Sequence, residues 1–146
     1  MLRVEPADTA VAHELILEYA AATGVDLAFQ GFAEEIAHLD THYEAMFLAR
    51  WNEEPAGCVA LRRIDETTSE MKRLYVRTAF RGKDVGRALA LRVIEEARLR
   101  GYRSMRLDTL PTMTSAIKLY ESLGFVDIPP YRYNPVQGTR YLQLTW

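Results

Sequence analysis

The stretch Leu74-Tyr75-Val76-Arg77-Thr78-Ala79-Phe80-Arg81-Gly82-Lys83-Asp84-Val85-Gly86-Arg87 decides the reading of this chain. An apolar run passes through a polar, glycine-containing turn straight into a helical pattern. The first N–H groups of a helix lack intrahelical partners and its start carries partial positive charge, so such a junction can hold a phosphate group. Arg81, Lys83 and Arg87 add cations, and Gly82 and Gly86 permit close approach. Spacing excludes two nucleotide motifs. A Walker loop needs G-x-x-x-x-G-K-[ST], whereas Gly82 to Gly86 spans G-x-x-x-G and is followed by Arg87-Ala88; the dinucleotide fingerprint G-x-G-x-x-G is absent too. An ordinary charged turn stays open as the alternative.

Upstream, Met46-Phe47-Leu48-Ala49, the turn from Trp51 to Gly57, Cys58-Val59-Ala60-Leu61 and a third strand from Ser69 to Val76 predict an antiparallel meander. Alternation along that third strand puts Glu70, Lys72, Leu74 and Val76 on one face. Earlier still, Leu2-Arg3-Val4 predicts an edge strand. Asp8 is an N-cap for a helix whose Val11, Leu15, Tyr19 and Ala22 recur at helical spacing until Thr23-Gly24. Residues 25 to 30 read as an exposed loop. Gly31 precedes a short helix built on Phe32, Ile36 and Leu39. Downstream, Val85 to Arg100 is an amphipathic helix closed by Gly101, and Met105 to Asp108 is a strand parallel to the one before the helix. A helix over Thr112 to Leu123 and strands at Phe125–Ile128 and Arg140–Leu144 complete the pattern.

The chain has 146 residues, enough for one compact domain and too few for two. Its 18 Lys and Arg against 20 Asp and Glu leave no basic stripe on any expected helix, which argues against nucleic acid as a partner. No membrane-spanning run and no signal-peptide pattern occur, so the expected compartment is the cytoplasm, without membrane association. The lone Cys58 permits no intramolecular disulfide.

Two stretches carry a family resemblance. Arg81-Gly82-Lys83-Asp84-Val85-Gly86 resembles the acyl-CoA motif [QR]-x-x-G-x-[GA] of the general-control-related N-acetyltransferase (GNAT) superfamily, with Asp84 where glycine is usual. Ala116 and the ending Leu119-Tyr120-Glu121-Ser122-Leu123-Gly124-Phe125 resemble that family's A-x-x-L-Y-x-x-x-G-F signature. The element order matches over nearly the whole chain, residues 1–146 as one domain. The resemblance implies an α/β (α+β) fold with a mixed central sheet, an antiparallel N-terminal meander, a strand–helix–strand crossover with a splay, and helices on both faces. It implies direct transfer of an acetyl group from acetyl-CoA, as acyl-donor cosubstrate and without a metal, to a primary amine of a small molecule. Longer acyl-CoA donors, a peptide or protein amine, and a CoA-binding module without turnover are the alternatives. A homodimer is compatible with it.

By the same resemblance, Leu74, Tyr75 and Val76 offer backbone to the pantetheine arm, and Arg81, Gly82, Lys83, Asp84, Val85, Gly86 and Arg87 hold the pyrophosphate. A carboxylate at Asp84 should weaken that binding, although Asp tolerates left-handed backbone. Amide formation needs a neutral amine, and a lysine-like amine with a pKa of about 10.4 is on the order of one part in a thousand neutral near pH 7. Glu70 matches the position of the family's general base; the alternative is pairing with Lys72 or an arginine on the sheet. Tyr120 matches the family's tyrosine acid, or packs its ring. Met113 stands where the family often has asparagine, leaving Thr112, Thr114 or Ser115 as hydroxyl donors. Asp108-Thr109 is polar where the splay would open and is assigned no catalytic role. Phe29, Gln30, Phe32, Tyr131, Tyr133 and Asn134 are candidate acceptor contacts, with core or lid packing as the other reading of the aromatics. His38 and His42 lack the glutamate of H-E-x-x-H, which argues against a zinc site, and Cys58 reads as a structural thiol.

Overall fold

A computed structural model describes residues 1–24 and 26–146; the side chains of Phe29 and Gln30 lie outside the described set. Strands β1 (Leu2–Pro6), β2 (Ala45–Trp51), β3 (Glu54–Arg63), β4 (Thr68–Val76), β5 (Ser104–Thr109), β6 (Val126–Asp127) and β7 (Arg140–Thr145) form one sheet in the order β1-β2-β3-β4-β5-β7-β6. The first four are an antiparallel meander. Asn52 and Glu53, with φ of 48° and 74°, turn β2 into β3 through a two-residue hairpin whose left-handed backbone suits strand twist. The returning strand is longer than Cys58–Leu61 because pairing starts directly after that turn. β4 and β5 run parallel, joined by helix α4 (Val85–Leu99).

Each sheet face carries its own core. α4 covers one with Val85, Leu89, Val93 and Ala97 against Val59, Leu61, Met71 and Leu107. On the other, α1 (Thr9–Thr23) lays Ala12, Leu15 and Ile16 on Leu48, Cys58 and Ala60, beside the short helices α2 (Phe32–Ala37) and α3 (Leu39–His42). Asp8 caps α1 as its side chain implies, accepting from Ala10 N–H at 2.8 Å, and Gly24 ends it at φ 66°. Ala22 is exposed, so the buried stripe runs through Ala12, Leu15 and Ile16. The expected loop at 25–30 also needs correction. Leu27–Gln30 forms a turn of 3-10 helix capped by the Asp26 side chain, and Leu27 is buried; Val25 lies outside the described residues. Helix α5 (Thr114–Ser122) precedes β6. Among the described residues no helix is long and apolar enough to cross a membrane.

Two irregularities of β4 position the site. Ala60 pairs with Lys72 but Cys58 pairs with Tyr75, so two residues of β4 face one of β3; this bulge sits at Arg73, whose φ is 59°. The bulge resets the alternation. Lys72 shares the α1 face with its partner Ala60, whereas Leu74 and Val76 pack into the α4 core. The expectation of one face for Glu70, Lys72, Leu74 and Val76 therefore holds only as far as Lys72. Secondly, pairing to β5 covers Thr68–Glu70 against Ser104–Arg106 and then stops. Ser69 Oγ donates to Ser104 O at 2.8 Å at this closed end, and beyond Glu70 the strands part.

Candidate active site

The turn before α4 has the form the sequence implies. Gly82 (φ 77°) and Asp84 (φ 62°) both take left-handed backbone, curling the chain into the helix start. This is why glycine suits position 84, and why aspartate is tolerated there. The Asp84 carbonyl accepts from Ala88 N–H at 3.0 Å, while its carboxylate makes no capping bond and is exposed. Val85 is buried and fixes the helix start. A Cβ added at Gly86 would meet Leu119 and Val76 at 3.6 Å, ordinary contact distance, so the chain's own packing does not demand the glycine. Arg81 Nε donates to Val76 O at 3.2 Å, Lys83 Nζ lies 5.0 Å from the Trp51 ring centre, and Arg87 Nη1 donates to Ser122 Oγ at 3.2 Å. A helix start of this kind, with Arg81, Lys83 and Arg87 in the turn and first helical residues, suits a pyrophosphate.

Where β4 and β5 part, a cavity of about 40 Å³ opens, space for about three waters. Lys72, Leu74, Asp108, Met113, Tyr120 and Asn134 are among its walls. Tyr120 is buried, packs its ring 5.8 Å from that of Phe125 and still faces the cavity, so its ring-packing and cavity positions are compatible. Burial pushes its phenol pKa up, which keeps the proton in place until a strong acceptor forms. Asp108, at the end of β5, accepts from Asn134 Nδ2 at 3.4 Å. Lys72 is 5% exposed, and burial lowers its pKa to about 8, against the pull of Glu70 and Asp108.

Glu70 lies elsewhere. It is 0% exposed, accepts from Tyr131 Oη at 2.7 Å and from Arg132 Nη2 at 2.8 Å, and is not among the described residues lining the cavity. Its carboxylate ties the 128–139 loop to the closed end of the splay. Of the acceptor candidates, Asn134 faces the cavity, Tyr131 is spent on Glu70, and Tyr133 is 74% exposed. Phe32 stacks near the Arg73 guanidinium at 5.6 Å and does not line the cavity. The side chains of Phe29 and Gln30 fall outside the described set. Cys58 is buried with its thiol pushed up to about 12 by that burial, a structural sulfur.

Sequence reasoning missed Tyr19 and Leu27 as cavity walls, and gave Lys72 only the part of a partner for Glu70. It also missed the buried pair of Arg73 with Glu35. Arg73 Nε and Nη2 donate to Glu35 Oε2 and Oε1 at 2.8 and 2.6 Å, with side chains 2% and 1% exposed.

The helix start with its cations thus lies beside a parted sheet whose cavity is lined by a buried phenol. The acetyltransferase (GNAT) family matches residues 12–125. An uncharacterized N-acetyltransferase of Schizosaccharomyces pombe is 39% identical over 136 residues, covering 89% of this chain and 83% of that protein. The N-acetylaspartate synthetase of Danio rerio is 47% identical over 70 residues, 47% of this chain and 25% of its own length. A crystal structure of an acetyltransferase from Streptococcus agalactiae superposes with a TM-score of 0.81 at 22% identity, over 99% of this chain and 98% of that one, which speaks to the fold. The chain belongs to the GNAT acetyltransferase family and is an N-acetyltransferase.

Proposed function

We propose that this enzyme transfers the acetyl group of acetyl-CoA directly to the primary amine of a small molecule. The observation that carries the reading is the cavity at the splay, which brings Tyr120 against the segment of β4 that has lost its strand partner. The backbone of Leu74 to Val76 holds the pantetheine arm along that open edge. The turn at Arg81–Asp84 and the first N–H groups of α4 hold the pyrophosphate. The amine nitrogen attacks the thioester carbon, the C–S bond breaks, and Tyr120 gives its proton to the departing sulfur. No covalent intermediate on the enzyme is required. Glu70, the base implied by family position, is engaged by Tyr131 and Arg132 and reaches the reaction only if that latch opens.

Release of free thiol from acetyl-CoA, measured with a panel of amines, tests the reading. Tyr120→Phe keeps the ring and removes the donor, and it should lower kcat about 10²-fold or more with little change in acetyl-CoA affinity. Unchanged turnover would remove Tyr120 from the reaction. Binding of acetyl-CoA without release across the panel would make the chain a CoA-binding module, and faster release from longer acyl-CoA donors would change the donor.

A further inference from the structure

Glu70 is the last residue of β4 paired to β5, on the seam just before the strands part. Two donors from the late loop take up its carboxylate, which is 0% exposed: Tyr131 Oη donates to Oε2 at 2.7 Å and Arg132 Nη2 to Oε1 at 2.8 Å. Both donors are held in turn. Tyr141 Oη donates to Arg132 O at 3.0 Å, and the Tyr131 ring centre stands 5.5 Å from that of Tyr141 and 5.5 Å from the Arg106 guanidinium. Burial, with Glu70 beside it, pushes the Tyr131 phenol up, so it keeps its proton and stays a donor. Among the described residues, no main-chain hydrogen bond ties 129–135 to the sheet. Side chains therefore hold this segment, and they hold it against the cavity. Two residues past Arg132, Asn134 lines the cavity wall, with Nδ2 donating to Asp108 Oδ2 at 3.4 Å and Oδ1 accepting from Val136 N–H at 2.9 Å.

Resting on the transferase reading above, we propose that Glu70 is a positioning residue: it is the ionised anchor that sets Asn134 into the wall against which the acceptor binds, and it takes no proton during transfer. A general base has to offer a lone pair to the amine, directly or through one water. For Glu70 to do so, it would have to leave Tyr131 and Arg132, stranding a phenol and a guanidinium in a closed site. The same movement would free the segment that carries Asn134 and undo the wall the amine needs. On this geometry the two roles exclude each other, and the late loop, through Glu70, is part of the acceptor site.

The full chain, Glu70→Gln and Tyr131→Phe are compared in two measurements: thiol release from acetyl-CoA across pH, with the amine that the wild type acetylates fastest, and trypsin cleavage after Arg132. Glu70→Gln keeps the shape and loses the charge and one acceptor, so it should raise KM for the amine about tenfold, the worth of a hydrogen bond or two, with kcat within about threefold. The acid limb of its kcat profile should keep the wild-type midpoint. Tyr131→Phe leaves the carboxylate in place and should move KM in the same direction, and the double variant should lose less than the product of the two. Cleavage after Arg132 should speed up about tenfold in Glu70→Gln, while cleavage after Arg81 and Lys83 stays as it was. A fall in kcat of about 10²-fold with KM unchanged, or loss of the acid limb in Glu70→Gln, would make Glu70 the base and overturn the proposal. Wild-type kinetics in Tyr131→Phe, or unchanged cleavage after Arg132 in Glu70→Gln, would overturn it too. Should Glu70→Gln fail to fold, the KM of Tyr131→Phe decides. Acetyl-CoA bound but no thiol released with any amine would instead overturn the transferase reading, and the trypsin pattern would still decide whether Glu70 holds the loop.

Discussion

Asp84 shows how one backbone angle can admit an unfavourable charge. Its φ of 62° makes glycine the unstrained choice, and the carboxylate it carries instead stands exposed beside the helix start proposed to receive the pyrophosphate. Asp84→Gly should therefore lower the Kd for acetyl-CoA severalfold, measured by calorimetry; a rise would mean that the carboxylate supports the turn. Lys72 is the second informative residue. Its ammonium faces Glu70 and Arg73 from its own strand, Asp108 from β5 and Arg132 from the late loop, and burial outweighs the two carboxylates. A lysine with a lowered folded pKa binds fewer protons folded than unfolded, so its cost is full below about pH 8 and fades as pH rises toward 10.5. Lys72→Met should raise stability near pH 7 by at most about 3 kcal/mol, and the gain should vanish in urea titrations run above pH 10.

At the scale of elements, the bulge in β4 and helix α2 form one unit. Burial alone would push the Glu35 carboxyl up, but two hydrogen bonds from Arg73 hold it below the usual range. Tyr19 and Phe32 flank the guanidinium, each 5.6 Å from ring centre to its carbon. Glu35→Ala leaves that cation buried and unpaired and should cost about 3–5 kcal/mol in equilibrium unfolding. In the wild type the pair's contribution is present above the unfolded carboxyl pKa and is lost as pH falls through the lower folded one. A cost under 1 kcal/mol would show that water reaches Arg73 when Glu35 is removed. Most elements were legible from the sequence, because the periodicity of α4, the cap at Asp8 and the alternation of β2 and β3 are local signals. The bulge was not, since it exists only as a mismatch between two strands. The partners of Glu70 were hidden for the same reason: Tyr131 and Arg132 lie sixty residues on, in a loop without periodicity. The turn before α4 was legible because it sits at a helix start, where glycine and charge spacing are local signals, and Tyr120 was singled out through the resemblance of the Ala116–Phe125 stretch.

On the scale of the whole molecule, the sheet is two halves held along a short seam. Three residue pairs join β4 to β5, the Ser69 hydroxyl reinforces them, and Glu70 latches the 128–139 loop across the junction. Beyond the seam, the edge of β4 facing β5 has no strand partner. Amide hydrogen exchange in residues 71–76 should accordingly slow markedly when acetyl-CoA is added, while β2 and β3 change little. Equal exchange with and without it would exclude a donor lying along this edge.

That unpaired edge bears on how far such a chain can drift. A main-chain donor or acceptor is the same whatever side chain it carries, so the proposed recognition of the donor through the edge of β4 puts little constraint on residue identity. The pairs that keep the edge open, and the turn that ends it, need only preserve a shape. A fold shared with the streptococcal protein at 22% identity and a TM-score of 0.81 is what that independence permits. Variation is left to accumulate on the walls of the cavity, while the edge proposed to hold the donor keeps its main-chain geometry.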